Sequence, residues 1–162
     1  MLKHVECLIR AKKLSVEYKI RICMSVDDLI QGISSTSLKN YQFIRWQSSN
    51  PGRIKLNFDG SLQNTSAAGG FILRDWRRGV LMIRAANYGM TSIIVAEGRA
   101  LRDGLQATIT VGYRRLDIEG DNLIVIEALQ GKLAIHWQIK YIIQDIDIML
   151  NQVDHVEVNH IY

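Results

Sequence analysis

The chain has 162 residues, 48% of them hydrophobic and 22% charged, which suits one ordinary domain with a packed core and excludes a disordered or fibrous chain. No window approaches the ~18 consecutive apolar residues of a membrane helix, and Lys3, His4 and Glu6 interrupt the start where a signal peptide would build its apolar stretch. An intracellular protein without a membrane span is the expectation. The formal net charge of +4 belongs to the N-terminal part: residues 1–45 hold eight Lys and Arg against four Asp and Glu, and residues 46–162 hold twelve of each.

Residues 1–45 read as a separate basic segment, partly helical or poorly ordered. Ser25-Val26-Asp27-Asp28 ahead of Leu29-Ile30 resembles a capping box opening a short helix, which Gly32 and the Ser34–Ser37 tract would end. A basic arm suits nucleic-acid phosphates, and an ordinary solvated segment is the alternative, because the positive residues are scattered. Cys7 and Cys23 lack the number of a disulfide framework and the spacing of a zinc site, so they read as reduced and inert. Ser48-Ser49-Asn50-Pro51-Gly52 is a strong turn and linker signal, which places a domain boundary between about residues 45 and 53.

In the main domain, Leu56 and Phe58 alternate with Lys55, Asn57 and Asp59, the period of a strand with one buried face. Gly60-Ser61 supplies turn chemistry, so Asp59 is expected at the strand end and Leu62–Ala67 as loop. Gly69–Asp75 and Gly79–Ala86 read as two further strands joined by a hairpin at Trp76-Arg77-Arg78, which implies an antiparallel meander. The period then changes. Thr91-Ser92 suits the cap of a helix over about Ile94–Thr110, with Glu97 in its first turns. Tyr113–Glu119 reads as a strand broken by Gly120-Asp121-Asn122, followed by a short helical run through Val125, Ile126 and Leu129 to Gly131. Ile139, Ile142, Ile143, Ile146 and Leu150 line one face of a helix from about Trp137 to Asn151, and Val153–Val158 alternates as a last strand. The order is βββαβααβ, which calls for a mixed five-stranded sheet with helices packed on it.

Three carboxylates stand at places where this order brings distant segments together: Asp59 and Asp121 at strand ends, and Glu97 on a crossing helix. Each also has a structural reading. Asp-Gly is a common turn pair, Glu97 suits a helix N-terminus, and Asp121 suits a helix cap. Trp76 and Trp137 read as packing residues, with base stacking as the alternative.

Taken in order, Lys55-Leu-Asn-Phe-Asp-Gly60, Gly69-Gly-Phe-Ile-Leu-Arg-Asp75, Ala96-Glu-Gly-Arg-Ala-Leu-Arg-Asp-Gly-Leu105 and Glu119-Gly-Asp-Asn122 resemble the type 1 ribonuclease H domain. The likeness is to the plant group similar to non-LTR retroelement ribonuclease H. Val156–Tyr162 is similar to the start of that group's His-x-x-Arg-Glu-x-Asn segment, so the resemblance runs from about Trp46 to Tyr162. It implies an α/β fold with a ribonuclease H-like mixed sheet, three antiparallel strands and then two parallel, flanked by helices. It further implies that Asp59, Glu97 and Asp121 are three of four carboxylates holding two Mg2+ or Mn2+ ions. The fourth belongs to a closing C-terminal helix past Tyr162, so a C-terminally truncated domain is the expectation.

By the same resemblance His160 matches a mobile histidine near the site, with a solvated terminal histidine as its alternative. Gly60, Ser61, Ser92 and Asn122 are candidates for contacting an RNA–DNA hybrid in its wide minor groove, where 2′-hydroxyls distinguish RNA. The implied activity is metal-dependent hydrolysis of the RNA strand of such hybrids. The alternatives are a nucleic-acid-binding module without turnover and a retroelement-derived relic.

Overall fold

Alternating apolar side chains build the first strand, and its length follows from the partner beside it. In the computed structural model, which describes residues 47–161, a turn closed by the Arg53 amide on the Asn50 carbonyl (3.1 Å) leads into β1 (Ile54–Gln63). β1 pairs antiparallel with β2 (Ser66–Asp75), in register from Ile54↔Asp75 to Gln63↔Ser66. Asn64 turns the chain between them with a left-handed φ of 56°, which asparagine tolerates. Two expectations are thereby corrected: the chain does not turn at Gly60-Ser61, and Leu62–Ala67 is not a loop. The polar residues there mark the exposed tip of a hairpin, where both sheet faces meet water while the backbone ladder continues.

β2 leads through Trp76–Gly79 to β3 (Val80–Met90), with the Asp75 amide on the Gly79 carbonyl at 2.9 Å. β3 continues past the expected end at Ala86. Helix α1 (Ile93–Val111) begins after Ser92, which holds the cap position in extended conformation. Its hydroxyl donates to Gln138 Oε1 (3.2 Å) and makes no bond to the backbone of the helix it opens. β4 (Arg115–Gly120) pairs parallel to β1 from Ile54↔Leu116 to Asn57↔Glu119. Helix α2 (Leu123–Leu129), a 3-10 turn (Trp137–Ile139) and helix α3 (Lys140–Leu150) lead to β5 (His155–His160), parallel to β4.

The sheet order is β3-β2-β1-β4-β5, the expected three antiparallel strands followed by two parallel ones. Leu56 and Phe58 of β1, Leu73 of β2, Leu101 and Leu105 of α1, Leu116 and Ile118 of β4, Ile139 of the 3-10 turn and Ile143 and Ile146 of α3 form one buried cluster. The apolar stripe on α3 therefore points inward as its spacing requires. Among the described residues no helix is long and apolar enough to cross a membrane. The basic excess, Cys7, Cys23 and the capping box at Ser25 lie outside the described residues.

Candidate functional site

Parallel pairing of β1 with β4 stops at Asn57↔Glu119, and two residues further along the chain from each stand Asp59, on β1, and Asp121, just past the end of β4. Glu97, in the second turn of α1, completes the group. One carboxylate oxygen from each of the three lies within 4.8 Å of the others. Glu97 is 4% exposed, whereas Asp59 and Asp121 are exposed at the mouth. The Glu97 carboxyl is pushed up to about 8, first by burial and then by the charges of Asp59 and Asp121, with the Gly60 amide opposing. Asp59 is pushed up to about 6, first by loss of water around its carboxylate and then by Asp121, again with the Gly60 amide opposing.

Gly60 belongs to this site for a steric reason and not as a turn. A β-carbon there would stand 2.8 Å from Glu97 N and 3.1 Å from Glu97 Cδ, so only glycine lets β1 pass against the start of α1. His160 ends β5 beside Gly120, and its Nε2 lies 2.9 Å from the Asp121 carbonyl, to which it donates. It is half-buried and tethered through that bond. Asn122, not Asp121, caps α2: its Oδ1 accepts from the Val125 amide at 3.3 Å. That bond engages Asn122 in holding the helix. Ser61 sits on β1 with its hydroxyl 3.5 Å from the Ala68 carbonyl, and Ser92 faces Gln138 across the start of α1.

The reverse transcriptase-like family profile matches residues 57–162. The chain belongs to the reverse transcriptase-like family. The fold of this reverse transcriptase-like domain is that of ribonuclease H. It is similar to RNase H1 from the halophilic archaeon Halobacterium salinarum NRC-1, with 23% identity and a TM-score of 0.64 over 68% of this chain and 86% of the other. The N-terminal RNase H domain of Mycobacterium tuberculosis rv2228c is 18% identical, TM-score 0.64, over 67% and 81% of the two chains. LC11-RNase H1, isolated from compost by a metagenomic approach and solved in complex with an RNA/DNA hybrid, is 21% identical, TM-score 0.62, over 67% and 84%. No curated protein matches the chain.

A divalent metal fits the residues present in this reverse transcriptase-like domain. The donors are all hard carboxylate oxygens, the kind Mg2+ and Mn2+ take. Glu97 Oε2 is buried and has no hydrogen-bond partner among the described residues, an arrangement that costs free energy unless something positive meets it. Asp59, Glu97 and Asp121 are the residues that would hold the ion.

A second group of side chains around the site was not legible in the sequence. Lys55, expected on an open strand face, is 3% exposed and its ammonium binds Glu119 Oε1 and the Gln47 carbonyl (2.7 Å). Asn57 Nδ2 donates to Glu119 Oε2 (3.0 Å), and Arg74 Nη1 donates to Asn57 Oδ1 (3.1 Å). Farther along the same face Arg53 bridges Asp117 (3.0 Å) and Glu157 (2.5 Å). The available signal was the charge on alternate strand positions, Lys55 against Glu119, but pairing them requires the register of two strands more than sixty residues apart.

The tryptophans depart from the packing expectation. Trp137 is 77% exposed and stacks on His136 with ring centroids 5.9 Å apart. Trp76 is 37% exposed and carries the Arg77 guanidinium 4.6 Å above its ring.

Proposed function

We propose that this reverse transcriptase-like domain is a metal-dependent nuclease that hydrolyses the RNA strand of RNA–DNA hybrids. The observation that carries the reading is the convergence of Asp59, Glu97 and Asp121 at the fork of β1 and β4, with Glu97 buried and its Oε2 unpartnered among the described residues. Divalent ions bound there would supply an activated water and stabilise the charge of the leaving oxygen. The protein's own part is positional. Asp59 and Asp121 come from adjacent strands, Glu97 from the helix crossing them, and their partly dry setting strengthens attraction for a dication. His160, held at the rim by its bond to the Asp121 carbonyl, is the residue suited to assist product release. Gly60, Ser61 and Ser92 are the small groups near the mouth suited to a hybrid's minor groove. The similarity to an RNase H1 solved with an RNA/DNA hybrid supports the same partner class.

The deciding experiment incubates the full chain with labelled RNA–DNA hybrid, duplex RNA, duplex DNA and single-stranded RNA in Mg2+ or Mn2+. Cleavage of the hybrid's RNA strand alone, abolished by EDTA and by Glu97→Gln, is the expected result. Cleavage that survives Glu97→Gln, or none with any substrate, counts against it. Binding without turnover is the second reading, favoured by a cluster of three carboxylates among the described residues where the ribonuclease H resemblance implies four. Hybrid affinity with no cleavage at saturating Mn2+ would establish it.

A further inference from the structure

We propose that Lys55, Asn57, Arg74 and Glu119 form a side-chain clamp that sets the separation of β1 and β4 at their fork and thereby positions Asp59 and Asp121 for the metal. The proposal rests on the metal-dependent reading above. Side chains alternate along a strand, and Leu56 faces α1, so Lys55 and Asn57 stand on the opposite face of β1, beside Glu119 of β4. Backbone pairing of the two strands ends at Asn57↔Glu119, and beyond it Asp59 is paired with Gly70 of β2 while Asp121 leaves the sheet. The side-chain bonds of Lys55 and Asn57 to Glu119 thus reinforce the last backbone pair between the strands before the carboxylates.

Donor and acceptor chemistry sets the direction of those ties. An ionised carboxylate only accepts and a guanidinium only donates, so Glu119 and Arg74 together fix which way the Asn57 amide points. A flipped amide would set donor against donor and acceptor against acceptor. Both oxygens of Glu119 are engaged from β1, one by Lys55 and one by Asn57. Lys55 and Glu119 are 3% and 9% exposed, and a buried pair of this kind resists separation because either partner alone would be left charged in a dry place. Two residues onward the carboxyl groups of Asp59 and Asp121 crowd together beside Glu97, and like groups this close resist approach when no metal is bound. A clamp at the fork works against that resistance, which is preorganisation of the ligands. All four are positioning residues.

The test measures Mn2+ affinity of the full chain, from the paramagnetic resonance signal of free Mn2+, and separately its unfolding by urea in EDTA. Asn57→Leu cuts the tie to Glu119 and leaves the Lys55 pair intact. Its urea midpoint should stay near that of the unaltered protein while Mn2+ binding weakens about tenfold. The double change Lys55→Met with Glu119→Met should recover the stability that either single change loses, yet keep the weakened Mn2+ binding. A role in stability alone gives the opposite pattern, with affinity returning as stability returns, and that result overturns the proposal. Unchanged Mn2+ affinity in both variants overturns it as well. If the unaltered protein binds no Mn2+, the metal-dependent reading fails and the clamp with it; binding by the unaltered protein with insensitive variants sinks the clamp alone.

Discussion

Gly60 and Glu97 touch without a side chain between them: a β-carbon at residue 60 would stand 2.8 Å from the Glu97 backbone nitrogen. The strand that carries Asp59 is thus laid directly against the turn of α1 that carries Glu97. Gly60→Ala should force α1 away from β1, at a cost of about 1–3 kcal/mol in urea unfolding without metal. Mn2+ affinity should fall by more than the accompanying loss of stability accounts for, since two ligands are displaced relative to each other. Unaltered affinity would mean that the contact does not set the Asp59–Glu97 distance.

Stability without metal should fall as pH rises. Glu97 is pushed from 4.5 to about 8, so between those values the folded state holds a proton that the unfolded state has released. A group of this sign stabilises the fold below its unfolded pKa, and that contribution is lost as pH climbs through the window, at up to about 1.4 kcal/mol per pH unit. Asp59, pushed from 3.8 to about 6, adds the same sign at the acid end. Urea midpoints in EDTA should decline from pH 5 to pH 8, and Glu97→Gln should remove most of the slope above pH 6. A flat profile in the unaltered protein would contradict the burial of an unpaired carboxylate.

Metal should reverse that dependence, because only the ionised carboxylates bind it. Mg2+ or Mn2+ at a hundredfold excess over Kd should stabilise the domain by about 2.7 kcal/mol. Thermal melts at pH 8 should show the gain, melts near pH 5 much less of it, and Asp59→Asn with Asp121→Asn none. A rise in Tm retained by the doubly altered protein would place the ion elsewhere.

Gly120 precedes Asp121, and a β-carbon at residue 120 would run into the ring of Phe58. Gly120→Ala should destabilise the domain by about 1–3 kcal/mol through overpacking. Adding Phe58→Leu should return part of that loss, since the two positions compete for one space. Additive losses measured by urea unfolding would show that the sheet relaxes around the new methyl group instead.

Much of this fold is visible along the chain because its elements announce themselves locally. The stripe at Ile139, Ile142, Ile143 and Ile146 predicts a buried helix face, and those residues are buried. The alternation at Leu56 and Phe58 predicts the strand, though not its end. β1 runs on to Gln63 because β2 satisfies its backbone, and no property of Gly60-Ser61 by itself reports the presence of that partner. Trp137 shows the converse: its bulk suggests a core residue, but whether a core has room for an indole depends on everything else that fills it.

The order of elements and the residue types available for chemistry are written along the chain, since periodicity, caps and turn residues act over a few neighbouring positions. The chain also supplied Asp59, Glu97 and Asp121 as carboxylates in segments whose order implies convergence. Tertiary structure alone decided that their oxygens stand within 4.8 Å of one another, that Glu97 is dry, and that Gly60 is needed for contact and not for turning. It alone brought Lys55 and Asn57 onto Glu119. The reason is physical: a pKa, a steric limit or a buried ion pair depends on distance and exclusion of water, and between segments sixty residues apart these exist only once the sheet has set its register.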